Sequence, residues 1–236
     1  MTVRLHRFQD AASLHQGVAA NLAAAIRAAK AQRKAMALCL SDRLNAICSA
    51  LDACLDPSDI RSGQLSLWWS NEAFVDLTNP ARVSTKTMAK LGQTLRFAPG
   101  KIHPMPTASG NSDVDAAALQ YAEELRTTAF RLTVLAMGSD GSVAGLRPGS
   151  PGLSSPNTVI GLRDDDREYL SLTLKTLARS TVVWLIATGK RSARSLARAL
   201  AGDEQLPAGL LRGRAETHFF ADQAAASKLE WHNCGL

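Results

Sequence analysis

The chain has 236 residues, 46% hydrophobic and 20% charged, the balance of a soluble globular protein able to bury one substantial core. Aromatics are few at 5%, and alanine is abundant, which favours helices packed closely on a sheet over an all-β barrel. The net charge of +6 comes without basic blocks or aromatic platforms, and no apolar run approaches the roughly 18 residues of a membrane span, so neither nucleic acid nor membrane is an expected partner.

Residues 11 to 34 place Leu14, Val18, Leu22 and Ile26 at helical spacing, with Lys and Arg towards the end, and predict an amphipathic helix. MALCL at 36 to 40 is a short buried run, and Ser41-Asp42 offers a cap for a helix reaching about Leu55. QLSLWWS at 64 to 70 predicts a second strand, with both Trp68 and Trp69 packed in the core. A helix is expected over 83 to 95, loop over 98 to 112, and another helix from about Asp113 to Thr128. RLTVLAM at 131 to 137 predicts a strand, and the Gly-, Pro-, Ser- and Asp-rich segment 138 to 166 is expected to be mostly loop. LSLTL at 170 to 174 is a short strand or a strand-to-helix junction. TVVWLIA at 181 to 187 fits a strand buried on both faces. A helix is expected over 190 to 201, and ETHFFAD at 216 to 222 is a last strand.

Alternating strands and helices imply a parallel sheet with helices on both faces, as one domain over residues 1 to 236. Ligands of such sheets sit beyond the carboxyl ends of the strands. The loops of interest therefore begin near Ser41, Ser70, Gly138 and Thr188. Cys39, Cys48, Cys54 and Cys234 show no CxxC spacing. They are expected to be free thiols of a reducing, cytoplasmic compartment, with no metal site. Of the histidines, His6 and His15 are expected to lie solvated in or before the first helix, His218 to pack within a strand, and His103 and His232 to stay out of catalysis.

MGSDGSVAGLRPGSP at 137 to 151 resembles a G-x-G-x-D-G-H-x-A-S-L-F-P-G signature, with Gly138, Asp140, Gly141, Ala144, Leu146, Pro148 and Gly149 in matching places. LSLWWSNEAFVDLTNPARVST, LSLTLKTLARSTVVWLIATGKRSARSLARAL and LPAGLLRGRAETHFFADQAA continue the likeness in the right order. Together the four segments resemble the 6-phosphogluconolactonase family. The resemblance implies a three-layer, Rossmann-like α/β fold of the sugar-phosphate isomerase type, with a mostly parallel sheet. It also implies a sugar-phosphate ligand, hydrolysis of 6-phosphoglucono-1,5-lactone in the oxidative pentose phosphate pathway, and no cofactor or metal.

The departures from that pattern fall on polar positions. The family's histidine after Asp-Gly, which looks like the base that activates water, is Ser142 here. Its Gly-Gly turn after the first core strand is replaced by Ser41, Asp42 and Arg43, and Asp42 would repel a phosphate. The Asp and Arg of its D-E-R motif have become Asn71 and Ala73, leaving Glu72. Its Pro-Pro-Glu-Arg before S-L-T is Arg167-Glu168-Tyr169-Leu170, and its T-G-x-x-K lysine falls at Ser192, beside Lys190 and Arg191. The resemblance thus puts Asp140 and Ser142 at the catalytic position. Ser41, Arg43, Asn71, Glu72, Gly138, Arg147, Lys190 and Arg191 become the candidate substrate-binding residues. Lys190 and Arg191 open a helix straight after a strand, where amides and helix dipole favour anions. Two readings follow: a divergent lactone hydrolase, or a non-catalytic relative that binds a sugar phosphate or a pathway enzyme.

Overall fold

The computed structural model of the chain describes residues 2–60, 63–91, 97–98, 100–109, 113–164 and 167–229; Cys234 and His232 lie outside them. In chain order the elements are β1 (Thr2–Phe8), α1 (Ala11–Ala31), β2 (Met36–Leu40), α2 (Asn45–Cys54), α3 (Pro57–Ile60), β3 (Leu65–Trp69), β4 (Asn71–Ala73), α4 (Val83–Leu91) and β5 (Ile102–His103). There follow α5 (Val114–Leu125), β6 (Leu132–Ala136), β7 (Val159–Asp164), β8 (Arg167–Leu172), α6 (Leu174–Leu177), β9 (Val182–Ala187), α7 (Ala193–Leu200), α8 (Pro207–Leu210) and β10 (Glu216–Asp222).

Seven strands form one sheet in the order β1-β10-β9-β6-β2-β3-β5, every neighbouring pair parallel. The period-two alternation of strands sorts the side chains into two layers. Leu38, Leu40, Trp69, Val134 and Ile186 pack with Leu14, Val18 and Leu22 of α1. Cys39, Trp68, Leu135, Leu185 and Phe219 pack with Ala117, Tyr121 and Leu125 of α5. Trp68 and Trp69 are both buried, in opposite layers. The result is the three-layer α/β arrangement expected. The chain leaves β2 towards β3 and leaves β6 towards β9, so the strand order reverses between β2 and β6 and opens a crevice at their carboxyl ends.

Local chemistry sets the ends of the elements. Asp10 caps α1 by accepting from the Ser13 amide at 2.8 Å, and Ser13 Oγ accepts from the Asp10 amide in return. The helix stops at Ala31, short of the predicted 34, where Arg33 turns to φ 53°. Asp113 caps α5 through the Ala116 amide at 2.7 Å.

The structure refines four expectations. Ser41-Asp42 does not cap α2, which starts at Asn45 after Leu44 with no side-chain cap; the Ser41 hydroxyl is engaged elsewhere. The segment 138 to 164 is mostly loop as expected, with β7 as the exception: it pairs antiparallel with β8, and β8 with β4, in a separate three-stranded sheet. The polar, mostly exposed N-terminal stretch is an edge strand, and His6 lies in it ahead of the first helix, part-buried against His218 rather than solvated. Leu67 and Trp68 pair with Ile102 and His103, which adds a two-residue strand inside the predicted 98 to 112 loop.

Candidate functional site

Ser41 ends β2 and is 1% exposed. Its hydroxyl accepts from the Ala136 amide at 2.8 Å and donates to the Asp42 carbonyl at 2.9 Å, tying the ends of β2 and β6 together. Ser41 is therefore a tether buried behind the crevice. Arg43 adopts φ 58°, a left-handed conformation that glycine takes freely and that costs other residues about 1–2 kcal/mol. The turn has kept its bend without a glycine. Arg43 Nε donates to Asp42 Oδ2 at 3.2 Å, and Nη2 reaches the Ala136 carbonyl at 3.4 Å. The guanidinium thus neutralises Asp42, the charge expected to oppose a phosphate.

Asn71 and Glu72 follow Ser70 into β4. Asn71 Oδ1 accepts from the Asp42 amide at 3.3 Å and the Ser70 hydroxyl at 3.0 Å, fastening the two loops to each other. Glu72 is 1% exposed. One carboxylate oxygen accepts from the Ala73 and Val83 amides, and the other from Ser84 at 2.9 Å. Arg82, fully buried, stands 3.6 Å away and donates to the Met105 carbonyl at 2.7 Å. Glu72 and Arg82 close the N-terminus of α4 from within; this carboxylate is structural, although its residue borders the crevice.

The loop after β6 is built around its own backbone. The Gly138 amide donates to the Ser142 carbonyl at 2.8 Å, and Val143 and Leu146 exchange amide–carbonyl bonds. A side chain at Gly138 would place Cβ 2.2 Å from Ser142 Oγ and 2.5 Å from Asp140 Oδ1, which explains the glycine. Asp140 and Ser142 therefore converge over Gly138. Burial pushes the Asp140 carboxyl up, but hydrogen bonds from the Ser142 hydroxyl and amide, aided by Arg147, bring it below its ordinary value. Asp140 Oδ1 accepts from the Ser142 amide at 3.0 Å, and a carboxylate held in this way below its ordinary value is a weak base.

The start of the helix after β9 is already occupied. The Gly189 amide donates to both oxygens of Asp222, at 3.1 and 3.0 Å, and the Ala225 amide adds a third bond at 2.7 Å. The anion this strand end favours is supplied by the chain itself. Lys190 and Arg191 are exposed beside it.

A cleft of about 590 Å³ opens between the β2 turn, β4, the first turns of α4, Gly145 and β8. Its volume suits a small ligand. Of the predicted residues, Arg43, Asn71 and Glu72 line it. Gly138, Asp140, Ser142, Lys190 and Arg191 do not, and Arg147 is held by Asp164 at 2.9 Å. Lys86 also lines it without any signal in the sequence, and so do Arg167, Glu168 and Tyr169, which stood out there only as replacements in the family pattern; Tyr169 donates to the Gly145 carbonyl at 3.4 Å. Arg167 and Tyr169 share a face of β8; that signal was readable only once the β7–β8 hairpin was recognised.

No described histidine lines the cleft. His6 lies 2.9 Å from His218 across β1 and β10. His103 stacks on Trp68 at 3.8 Å and meets Glu124 at 2.6 Å. The imidazole of His15 is held low by burial, partly offset by Asp222. Among the described residues no group of three or more His, Cys, Asp or Glu is arranged to hold a metal ion.

The sequence pattern described as glucosamine-6-phosphate isomerases/6-phosphogluconolactonase matches residues 9–220. A 6-phosphogluconolactonase of Streptomyces coelicolor is 34% identical, covering 97% of this chain and 95% of that protein. One from Mycobacterium tuberculosis is 29% identical over 97% and 99% of the two. The crystal structure of a 6-phosphogluconolactonase from Thermotoga maritima superposes with a TM-score of 0.79 over 94% of this chain and 100% of that one; at 21% identity this likeness speaks for the fold.

Proposed function

The chain belongs to the glucosamine-6-phosphate isomerase/6-phosphogluconolactonase family, and from that premise we propose that it binds 6-phosphoglucono-1,5-lactone in the cleft and adds water to it, giving 6-phosphogluconate. The observation that carries this reading is the 34% identity to a 6-phosphogluconolactonase over nearly the whole of both chains. The cleft beside the strand ends supports it.

Lactone hydrolysis needs water deprotonated as it attacks the carbonyl, donors for the oxyanion, and release of the ring oxygen as a hydroxyl. Loss of a general base costs about 10²–10⁴-fold. With Asp140 committed to Ser142, the expected acceleration is modest. We place the protein in the cytoplasm, a reading supported by the free thiols Cys39, Cys48 and Cys54.

The Asp140–Ser142 contact also favours a second reading, a non-catalytic relative that keeps the sugar-phosphate cleft. One measurement separates the two. Loss of the lactone at pH 7, followed by NMR, should run above its spontaneous rate and saturate with substrate. Saturable binding of 6-phosphogluconate with lactone loss at the spontaneous rate would instead establish the second reading.

A further inference from the structure

Three carboxylates and three cations line the cleft: Asp42, Glu72 and Glu168, with Arg43, Lys86 and Arg167. Each carboxylate already faces a guanidinium. Asp42 has Arg43 at 3.2 Å, Glu72 has the buried Arg82 at 3.6 Å, and Glu168 has Arg163 at 3.0 Å, shared with Asp115 at 2.8 Å. Among the described residues, Lys86 and Arg167 have no carboxylate within ion-pair distance. They enter from separate elements, Lys86 from the second turn of α4 and Arg167 from the start of β8.

At each of the two positions suggested by the sequence motifs a carboxylate of the chain already stands. Asp222 fills the strand end beside Lys190, and Arg147 is paired with Asp164. The N-terminus of α4 is likewise filled by the Glu72 carboxylate. What remains in the cleft is a lysine point charge and an arginine fork, a pair suited to a dianionic phosphate monoester.

We propose that Lys86 and Arg167 form the phosphate anchor of this cleft, so that the ligand's phosphate sits between α4 and β8 rather than at the helix after β9. The proposal rests on the sugar-phosphate reading above and deepens it. It places the phosphoryl end of the ligand at Lys86 and Arg167 and its carbonyl end towards the β2 turn.

Calorimetric titration of the full chain with 6-phosphogluconate, gluconate and inorganic phosphate tests it, using Lys86→Gln, Arg167→Gln and the control Lys190→Gln/Arg191→Gln. Each cleft variant should weaken 6-phosphogluconate binding roughly tenfold, as expected for loss of one charged hydrogen-bonding partner in an open cleft. The control should bind as the parent does, and unfolding midpoints should agree within a degree or two because both cleft side chains are exposed. Parental binding in both cleft variants overturns the anchor, whatever the control does. If the parent binds inorganic phosphate in a Lys86- and Arg167-dependent way but prefers gluconate phosphate no more than phosphate itself, the anchor stands and the sugar reading fails. Absence of binding to either phosphate compound overturns the anchor.

Discussion

At the scale of single residues, the loop after β6 shows how one replacement redirects protons. The Ser142 side chain and the Asp140 carboxylate crowd together over Gly138, and the Ser142 amide donates to Asp140, whose carboxyl is held below its ordinary value. A histidine at this position would restore the residue that the family pattern carries after Asp-Gly. Ser142→His is therefore expected to raise the rate of lactone loss at pH 7 at least tenfold, the low side of a general base's usual worth. An unchanged rate would locate the deficit in other groups, with Asn71 and Ala73 first among them. Arg43 carries the opposite lesson. Its left-handed φ shows that the turn's shape does not need a glycine, because Asp42 and the Ala136 carbonyl hold the side chain in place.

At the scale of elements, β4 and α4 are joined by a buried charge. Glu72 accepts three backbone amides and faces Arg82, with both side chains fully buried. Removing one partner of such a pair leaves the other uncompensated, at a cost of about 3–5 kcal/mol. Arg82 would keep the Met105 and Pro106 carbonyls and the Ser84 hydroxyl, but these are neutral acceptors, and its Nε has no hydrogen-bond partner among the described residues. Glu72→Gln is predicted to lower the urea midpoint by that free energy at an unchanged slope. A shift below about 1 kcal/mol would mean that Arg82 finds another acceptor. Asp222 plays a similar part between β9 and β10, bridging Gly189 and Ala225.

At the scale of the whole molecule, β1 closes one edge of the sheet on β10, and the seam carries titrating groups. His6 bonds to His218 and stacks on Phe220 at 4.5 Å; His218 meets Glu216 at 2.6 Å, and Arg4 lies 3.6 Å from Glu216. Burial first, then the charges of His218 and Arg4, hold the His6 imidazole below the ordinary 6.5. His15 is held low as well, mainly by burial. The unfolded chain therefore binds more protons than the folded one just below pH 6.5. The contribution of these groups to stability is complete above that value and is lost as pH falls through the lowered folded values. The melting temperature is predicted to decline from pH 7.5 to 5.5, and the decline to flatten in His6→Gln. An equal slope in the variant would move the effect to His15 or to the carboxylates.

Most of the parallel sheet was legible in the sequence. MALCL, LSLWW, LTVLA and VVWLIA are short, mainly apolar runs buried on both faces, which fits strands of a parallel sheet, and ETHFFAD joins them through its apolar centre. The loops at their ends followed from topology alone. The second sheet was legible only where LSLTL marks the junction from β8 to α6; the rest of VIGLRD and REYLSL is half polar and is made strand by pairing with each other and with β4. The same holds for β1, an exposed edge held by β10. Residue types and spacing by themselves determined the fold class, the family likeness and the loop at Gly138. Only the tertiary structure decided which charges are free. Ion pairing depends on distances between residues far apart in the chain. It took the assembled sheet ends to commit Glu72, Asp222 and Arg147 to neighbours and to leave Lys86 and Arg167 facing the cleft.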